Sequence, residues 1–421
     1  MLLPLLLVCW VTPALALPAV FSLDPARLVA ARAAVRAGAP SLQPATHALL
    51  VAATSWLAKP IPLVTNTTLL PPSGDPRDYQ SAATYYWPCN SNPCGATAPN
   101  CSKAGLPWVD CDGHANMAAI AAMDFPRLEN AVAMATTLSF AFFFSGEQAF
   151  GAKAAAVFRA WFSRSAPSGM HPCLPFAQQV PGRSNVGHGI GIIDTSRSMA
   201  LLLDAAVLLG TDAASGWTPA DAAELSAWSA SLLAWLTSSP NGAAERRMAN
   251  NHGTWFDAQA QALALHTGNR TLAAAFAAGE AVARLDAQIA ANGSLPLECA
   301  RADSLLYVGF DIAGLQTLAQ LSSASEEDLW AHTTPEGATL ASTLAFLVPY
   351  ALHGAPWPFP LSAPFDWGTL RTPFLRAALA TGNATFAQWA AALPGNHSAD
   401  LDNLLWCLAC PSETPFHGVP R

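Results

Sequence analysis

At Asn250-Asn251-His252-Gly253-Thr254-Trp255, two amides, an imidazole and an indole crowd into six positions of a chain that uses few charged residues. The amides can donate to a carboxylate, and the imidazole can carry a proton near neutral pH. A second group, Glu298, Arg301, Ser304 and Tyr307, recurs at intervals of three and shares one face if helical. Arg301 supplies a planar fork that matches a carboxylate, and Tyr307 a phenol that gives or takes a proton. Glu298 is placed to hold Arg301. Together they suit a site that neutralises a carboxylate and moves a proton beside it. Each also has a plainer use: Asn250 or Asn251 as a helix cap, His252 as a satisfied, partly buried ring, Glu298 with Arg301 as a surface ion pair, and Tyr307 as core.

Two further stretches carry candidate binding groups. Asp78-Tyr79-Gln80-Ser81 and Tyr85-Tyr86-Trp87-Pro88 put aromatic rings in a polar, cysteine-rich segment. Such rings suit stacking on sugars, or equally plug the edge of a core. The run from Gln178-Gln179 to Gly187-His188-Gly189 and on to Asp194-Thr195 has the glycines of a nucleotide loop, but no βαβ unit supports that use. It reads better as a tight cleft loop carrying Gln179 and His188. The candidate binding set is therefore Tyr79, Tyr85, Trp87, Gln179, His188, Asn250, Trp255 and Glu298.

Helices must position these groups. Asp24-Pro25 predicts a capped helix start and Gly38 its end; Thr218-Pro219 opens another with Asp221 at the third position. Leu225, Trp228, Leu232 and Trp235 form its apolar stripe, and Pro240-Asn241-Gly242 reads as its stop. Thr195 or Ser196 is expected to cap a helix over 199–209. Others are expected at about 114–123, 127–145, 147–163, 251–267, 271–291, 304–321, 338–352, 366–380 and 385–392. Alanine is abundant and β-branched alternation scarce, so the fold class is all-α, built from consecutive helical hairpins. With no exact internal repeat, a ring or horseshoe of hairpins around a central cleft is expected, lined by the irregular stretches 60–113 and 164–194.

The first 17 residues read as a signal peptide, with an apolar run at 2–11 and a small-x-small site at Ala14-Leu15-Ala16. Residues 18–421 are read as one domain, exported and extracellular, and monomeric. Cys89, Cys94, Cys101, Cys111, Cys173, Cys299, Cys407 and Cys410 remain, an even number that argues for disulfides. Cys407-x-x-Cys410 lacks a second ligand pair, so a disulfide is expected there in place of a metal site. Sequons at Asn66, Asn100, Asn269, Asn292, Asn383 and Asn396 are candidate N-glycan sites. A net charge of −8 argues against nucleic acid as partner, and an acidic ligand would need its basic groups gathered in one cleft.

In order along the chain, DYQSAATYYWP (78–88), GLPWVDCDGHAN (105–116), GIGIIDT (189–195), NNHGTWFDAQ (250–259) and ExxRxxSxxY (298–307) resemble the alginate lyase-like polysaccharide lyases. These enzymes are helical toroids with an NNHGTW-type motif. The resemblance spans most of the chain up to its last ~80 residues. Two departures touch the cleft: a cysteine-studded insertion at 89–104, and His188 where an arginine is expected.

The resemblance implies β-elimination on a 1,4-linked uronic acid polymer, glucuronan or mannuronate-rich alginate, with no cofactor and no metal. Asn251 and Arg301 would neutralise the substrate carboxylate, while His252 and Tyr307 would handle protons. The C5 proton is scarcely acidic beside an ionised carboxylate, so donors that stabilise the developing enolate matter most. In β-glucuronate and β-mannuronate, H5 and O4 leave from one face, and one phenol can serve both ends; in guluronate they leave from opposite faces. Two alternatives stand beside this. A helical-ring glycoside hydrolase needs two cleft carboxylates, roughly 6–9 Å apart if inverting; Asp78, Asp110, Asp112, Asp194 and Asp257 are available. A non-catalytic carbohydrate-binding protein needs neither pair.

Overall fold

A computed structural model describes residues 17–95, 108–180 and 184–410. Residues 1–16 of the expected signal segment 1–17, Asn100, Cys101 and residues 105–107 of the second motif lie outside the described residues.

Four helices form the inner row: Phe125–Ser145, Ile193–Leu209, Asn251–His266 and Ser304–Ser323. Each packs on the next in that order. Gln43–Leu57, Gln148–Phe162, Pro219–Ser238 and the segment 270–288 pack behind them, as does Arg371–Thr381 behind Ser304–Ser323. The first helix, Pro25–Arg36, touches the last, Asp402–Leu405, and Arg27 donates to the carbonyls of Cys407 and Cys410. The first and last described helices are therefore neighbours, and the two rows of helices form the expected α/α toroid.

Local signals account for most of these elements. Asp24 accepts from the backbone N–H groups of Ala26 and Arg27, and Thr218 with Asp221 forms the expected capping box. The helix Phe125–Ser145 is long and apolar enough to suit a bilayer. Here its Phe140, Phe142, Phe143 and Phe144 are each at most 1% exposed, sealed between neighbouring helices. A helix apolar on all sides is at home in the centre of a core.

Three local expectations are corrected, and one helix is added. Ser239 caps a new helix, Pro240–Arg246, so Pro240 sits at a helix start, where its missing N–H costs nothing. The helix Ile193–Leu209 begins before Thr195, whose hydroxyl turns back to the Ile192 carbonyl. The expected helix at 271–291 is interrupted by a π-helical turn, Phe276–Ala281. The apolar helix Gln43–Leu57 was not anticipated.

Strands are few and short. Gln80–Ala82 pairs in parallel with Phe176–Gln179, and Tyr86–Pro88 runs antiparallel to Trp108–Asp110. Cys407 pairs with Cys410 as expected, and Cys94 with Cys111 beside the cleft. Cys173 and Cys299 are thiols, and burial pushes each up to about 11. The five described sequon asparagines, Asn66, Asn269, Asn292, Asn383 and Asn396, are all exposed.

Candidate active site

The inner helices direct their N-terminal ends at one cleft of about 390 Å³, lined by Phe125, Ile193, Asp194, Arg197, Asn251, His252, Leu306 and Tyr307. Unpaired N–H groups and the helix dipole make each such end mildly attractive to an anion, worth about 0.3–1 kcal/mol. Tyr85, Tyr86 and Asp110 close one side, and Gln178 and Ile190 another. Both irregular stretches thus line the cleft as expected. Arg301 and Phe310 complete the wall.

The four residues assigned to chemistry converge here. Asn251 opens its helix under the grip of Glu298, which accepts its backbone N–H at 2.7 Å and its Nδ2 at 2.9 Å through both carboxylate oxygens. An amide's two N–H bonds diverge far more than the oxygens of one carboxylate, so a single hydrogen serves that pair. The other remains for a ligand. His252 Nδ1 is hydrogen-bonded to Glu245 Oε1 at 2.7 Å. Arg301 lies across the Tyr307 ring, 3.6 Å from its centre, and is clamped by Asp112 through Nε at 3.0 Å and Nη2 at 2.5 Å. The Tyr307 and Tyr85 hydroxyls hydrogen-bond to each other.

Each cleft group is thus backed by its own carboxylate: Asn251 by Glu298, His252 by Glu245, Arg301 by Asp112. The Arg301 guanidinium holds Asp112 below the usual carboxylate range. Burial pushes Glu245 and Glu298 upward, opposed by the hydrogen bonds each accepts. Burial, then the neighbouring Tyr85, raises the Tyr307 phenol well above its ordinary value, so it rests protonated.

The motif's glycine has a spatial cause. A Cβ on Gly253 would lie 2.1 Å from the Met248 carbonyl and 2.4 Å from the Arg284 guanidinium. Arg284 bonds the Met248 and Arg246 carbonyls and Asp257, tying the helix start to the turn before it.

Several expected binding residues stand elsewhere. Trp255 is 6% exposed, and its ring lies 5.2 Å from Phe310 as part of the core. Tyr79 is fully buried and donates to Asp194 at 2.9 Å. Gln179 turns inward to Gln80 and the Phe176 carbonyl, and its neighbour Gln178 takes the cleft position, because an irregular register in the parallel pair reverses their faces. Gln178 has φ +52°, unusual for a non-glycine residue, and bonds Asp194. Glu298 is buried and holds Asn251; the clamp on Arg301 is Asp112. Asn250 caps through its carbonyl, without a side-chain bond, and does not reach the cleft. His188 sits behind the lining, bonded to the Gln178 carbonyl, and Trp87 is occupied with the His114 carbonyl. Of the expected binding set, Tyr85 alone lines the cleft. The sequence reading missed Gln178, Arg197, Glu245 and Asp112 as a clamp. Arg197, paired with Glu129 at 2.5 Å, sits two residues beyond the GIGIIDT stretch, which was its available signal.

The sequence pattern of the alginate lyase family matches residues 63–357. An alginate lyase from Bacteroides ovatus, solved by crystallography, is 30% identical, with a TM-score of 0.84 over 92% of this chain and 99% of its own. Alginate lyase A1-III from Sphingomonas species A1 shares the fold at 16% identity and a TM-score of 0.54, over 93% and 97% of the two chains. A tetrasaccharide complex of a histidine-to-alanine variant of alginate lyase A1-III gives 14% and 0.51, over 94% and 97%. No curated protein sequence matches. With the toroid, the ordered motifs and the cleft in agreement, the chain belongs to the alginate lyase family of polysaccharide lyases.

Proposed function

We propose that the chain is an exported lyase that cleaves β-1,4-linked uronic acid polymers, glucuronan or mannuronate-rich alginate, by β-elimination. The observation that carries this reading is the meeting of Asn251, His252, Arg301 and Tyr307 in one cleft at the N-terminal ends of the inner helices. The alginate lyases of like fold, one of them holding a tetrasaccharide, support a sugar polymer as ligand.

Asn251 and the free N–H groups of Arg301 bear on the uronate carboxyl and stabilise the charge that builds there as C5 loses its proton. His252 presents Nε2 to the cleft and takes H5. Tyr307, protonated at rest, gives its proton to O4 as the C4–O4 bond breaks and the C4–C5 double bond forms. Solvent then carries the proton from His252 back to the phenolate. A hydrolase needs a pair of poised carboxylates and fits less well: of the two that line the cleft, Asp194 is saturated by Tyr79, Ser81 and Gln178, which leaves Asp110 without a second, and nearby Asp112 is taken by Arg301.

The test is an ultraviolet absorbance screen of purified protein on glucuronan, mannuronate and guluronate blocks and hyaluronan. Elimination leaves an absorbing 4,5-unsaturated uronate and hydrolysis does not. A rise on glucuronan or mannuronate blocks that Tyr307→Phe abolishes is expected. Binding without a rise on any polymer overturns the lyase reading.

A further inference from the structure

We infer that Glu245 is a positioning residue for the reaction: its carboxylate fixes His252 as the Nδ1–H tautomer, so that the Nε2 lone pair is the one presented to the substrate. The inference rests on the reading of His252 as the base.

Four observations carry it. The Nδ1···Oε1 separation is 2.7 Å, the length of a charge-assisted bond, and a carboxylate can only accept. The Glu245 side chain is wholly buried while the His252 ring keeps 17% of its surface exposed and lines the cleft. The second Glu245 oxygen is buried without a partner, so the carboxylate is not there to stitch helices together. Burying such a group costs free energy unless it is paired, and its short hydrogen-bond partner is the imidazole.

The surrounding fold is shaped to bring this carboxylate in. Glu245 rides on the short helix Pro240–Arg246, which packs against the 3-10 turn Gly189–Ile192. A Cβ on Gly189 would meet the Asn241 carbonyl at 2.8 Å, the Ala244 Cβ at 2.9 Å and the Glu245 nitrogen at 3.0 Å. Any larger residue at 189 would push the helix, and Glu245 with it, away from the imidazole. Gly189 therefore serves as a shelf for the residue that orients His252.

The chemical consequence follows from the tautomer. When H5 passes to Nε2 the ring becomes an imidazolium with both nitrogens protonated, and its positive charge faces an anion already in place. No reorganisation is needed at that moment, which is the condition for efficient electrostatic assistance. Without the acceptor, the neutral ring is free to place its proton on Nε2, which leaves no lone pair toward the sugar.

The experiment uses two variants of the full protein, with nitrogen-15 spectra of labelled histidine (His252 assigned through His252→Gln) and steady-state kinetics. Glu245→Met removes the acceptor and the charge and fills the space. Glu245→Gln keeps an acceptor and removes only the charge. The wild type and Glu245→Gln should show His252 protonated on Nδ1, and Glu245→Met should shift toward Nε2–H. In Glu245→Met, kcat should fall about 10- to 100-fold with KM unchanged, and Glu245→Gln should lie between. A purely structural glutamate would move the melting temperature and leave the tautomer alone. An unaltered tautomer and kcat in Glu245→Met, or Nε2–H in the wild type, overturns the inference. A tautomer that follows Glu245 in a protein that cleaves no uronate overturns the lyase reading and leaves the positioning intact.

Discussion

Asp112 and Arg301 face each other as fork to fork, two parallel bonds joining a carboxylate on the β-ribbon side of the cleft to a guanidinium across it. The pair does more than neutralise. It holds the guanidinium over the Tyr307 ring, 3.6 Å from its centre. Losing the clamp should leave Arg301 charged but mobile. Asp112→Asn is expected to lower kcat/KM by about 10²-fold with little change in melting temperature, the cost typical of a misplaced binding group. Arg301→Lys cannot form the fork at all and should lose on the order of 10²–10³. Steady-state kinetics on a uronate polymer check both; equal rates for wild type and Asp112→Asn would show the clamp to be irrelevant.

Tyr307 and Tyr85 share a hydrogen bond between phenols, and burial first, then Tyr85, keeps Tyr307 protonated to unusually high pH. An acid works only while it holds its proton, so activity should be lost as pH rises through the Tyr307 value. Removing its neighbour in Tyr85→Phe lowers that value. The alkaline limb of the kcat profile should therefore move to lower pH. Tyr307→Phe should cost about 10²–10⁴ in kcat at every pH. An alkaline limb unmoved in Tyr85→Phe argues against Tyr307 as the acid.

Much of the architecture was legible because its signals are local. Caps at Asp24 and Thr218 and apolar stripes at helical spacing depend on neighbours within a few positions. The motif residues Asn251, His252, Arg301 and Tyr307 also met as expected. What stayed hidden were the partners that tertiary structure supplies. Asp112 lies 189 positions from Arg301, and Glu245 is brought in by a helix whose start looked like a stop. Which of Gln178 and Gln179 faces the cleft was decided by an irregular strand register, a one-residue choice that no periodicity in so short a strand can make.

Trp255 illustrates the same limit in a testable form. It stands in the most specific motif of the chain, yet it packs on Phe310 and against Gly314 inside the core. Its role is to seat the helix that carries Asn251 and His252. Trp255→Ala should destabilise the protein by ~3–5 kcal/mol in denaturant unfolding. Below the unfolding transition its KM should match wild type. A raised KM with undiminished stability would restore the indole to the binding surface.

His266, at the far end of that helix, predicts a pH dependence of stability. It lies beneath an apolar groove formed by Ala206, Val207, Trp217 and Leu225, with Nε2 buried and unpartnered. Burial lowers its pKa from 6.5 to about 4. The folded state therefore prefers the neutral ring, while the unfolded chain protonates it below 6.5. Its contribution is whole above pH 6.5 and disappears as pH falls toward 4, a swing of ~3 kcal/mol. Asp204 and Asp257, each raised by burial to about 6, act in the opposite sense over an overlapping range, so the wild-type curve alone mixes them with the histidine. The difference between wild type and His266→Leu isolates the histidine, since leucine cannot titrate and suits the apolar surroundings. Urea unfolding at a series of pH values should show the leucine variant gaining on wild type steadily from pH 6.5 down to 4. A gap between the two proteins that does not change with pH would mean that the His266 ring is protonated in the fold, and the assignment of a neutral buried imidazole would have to be given up.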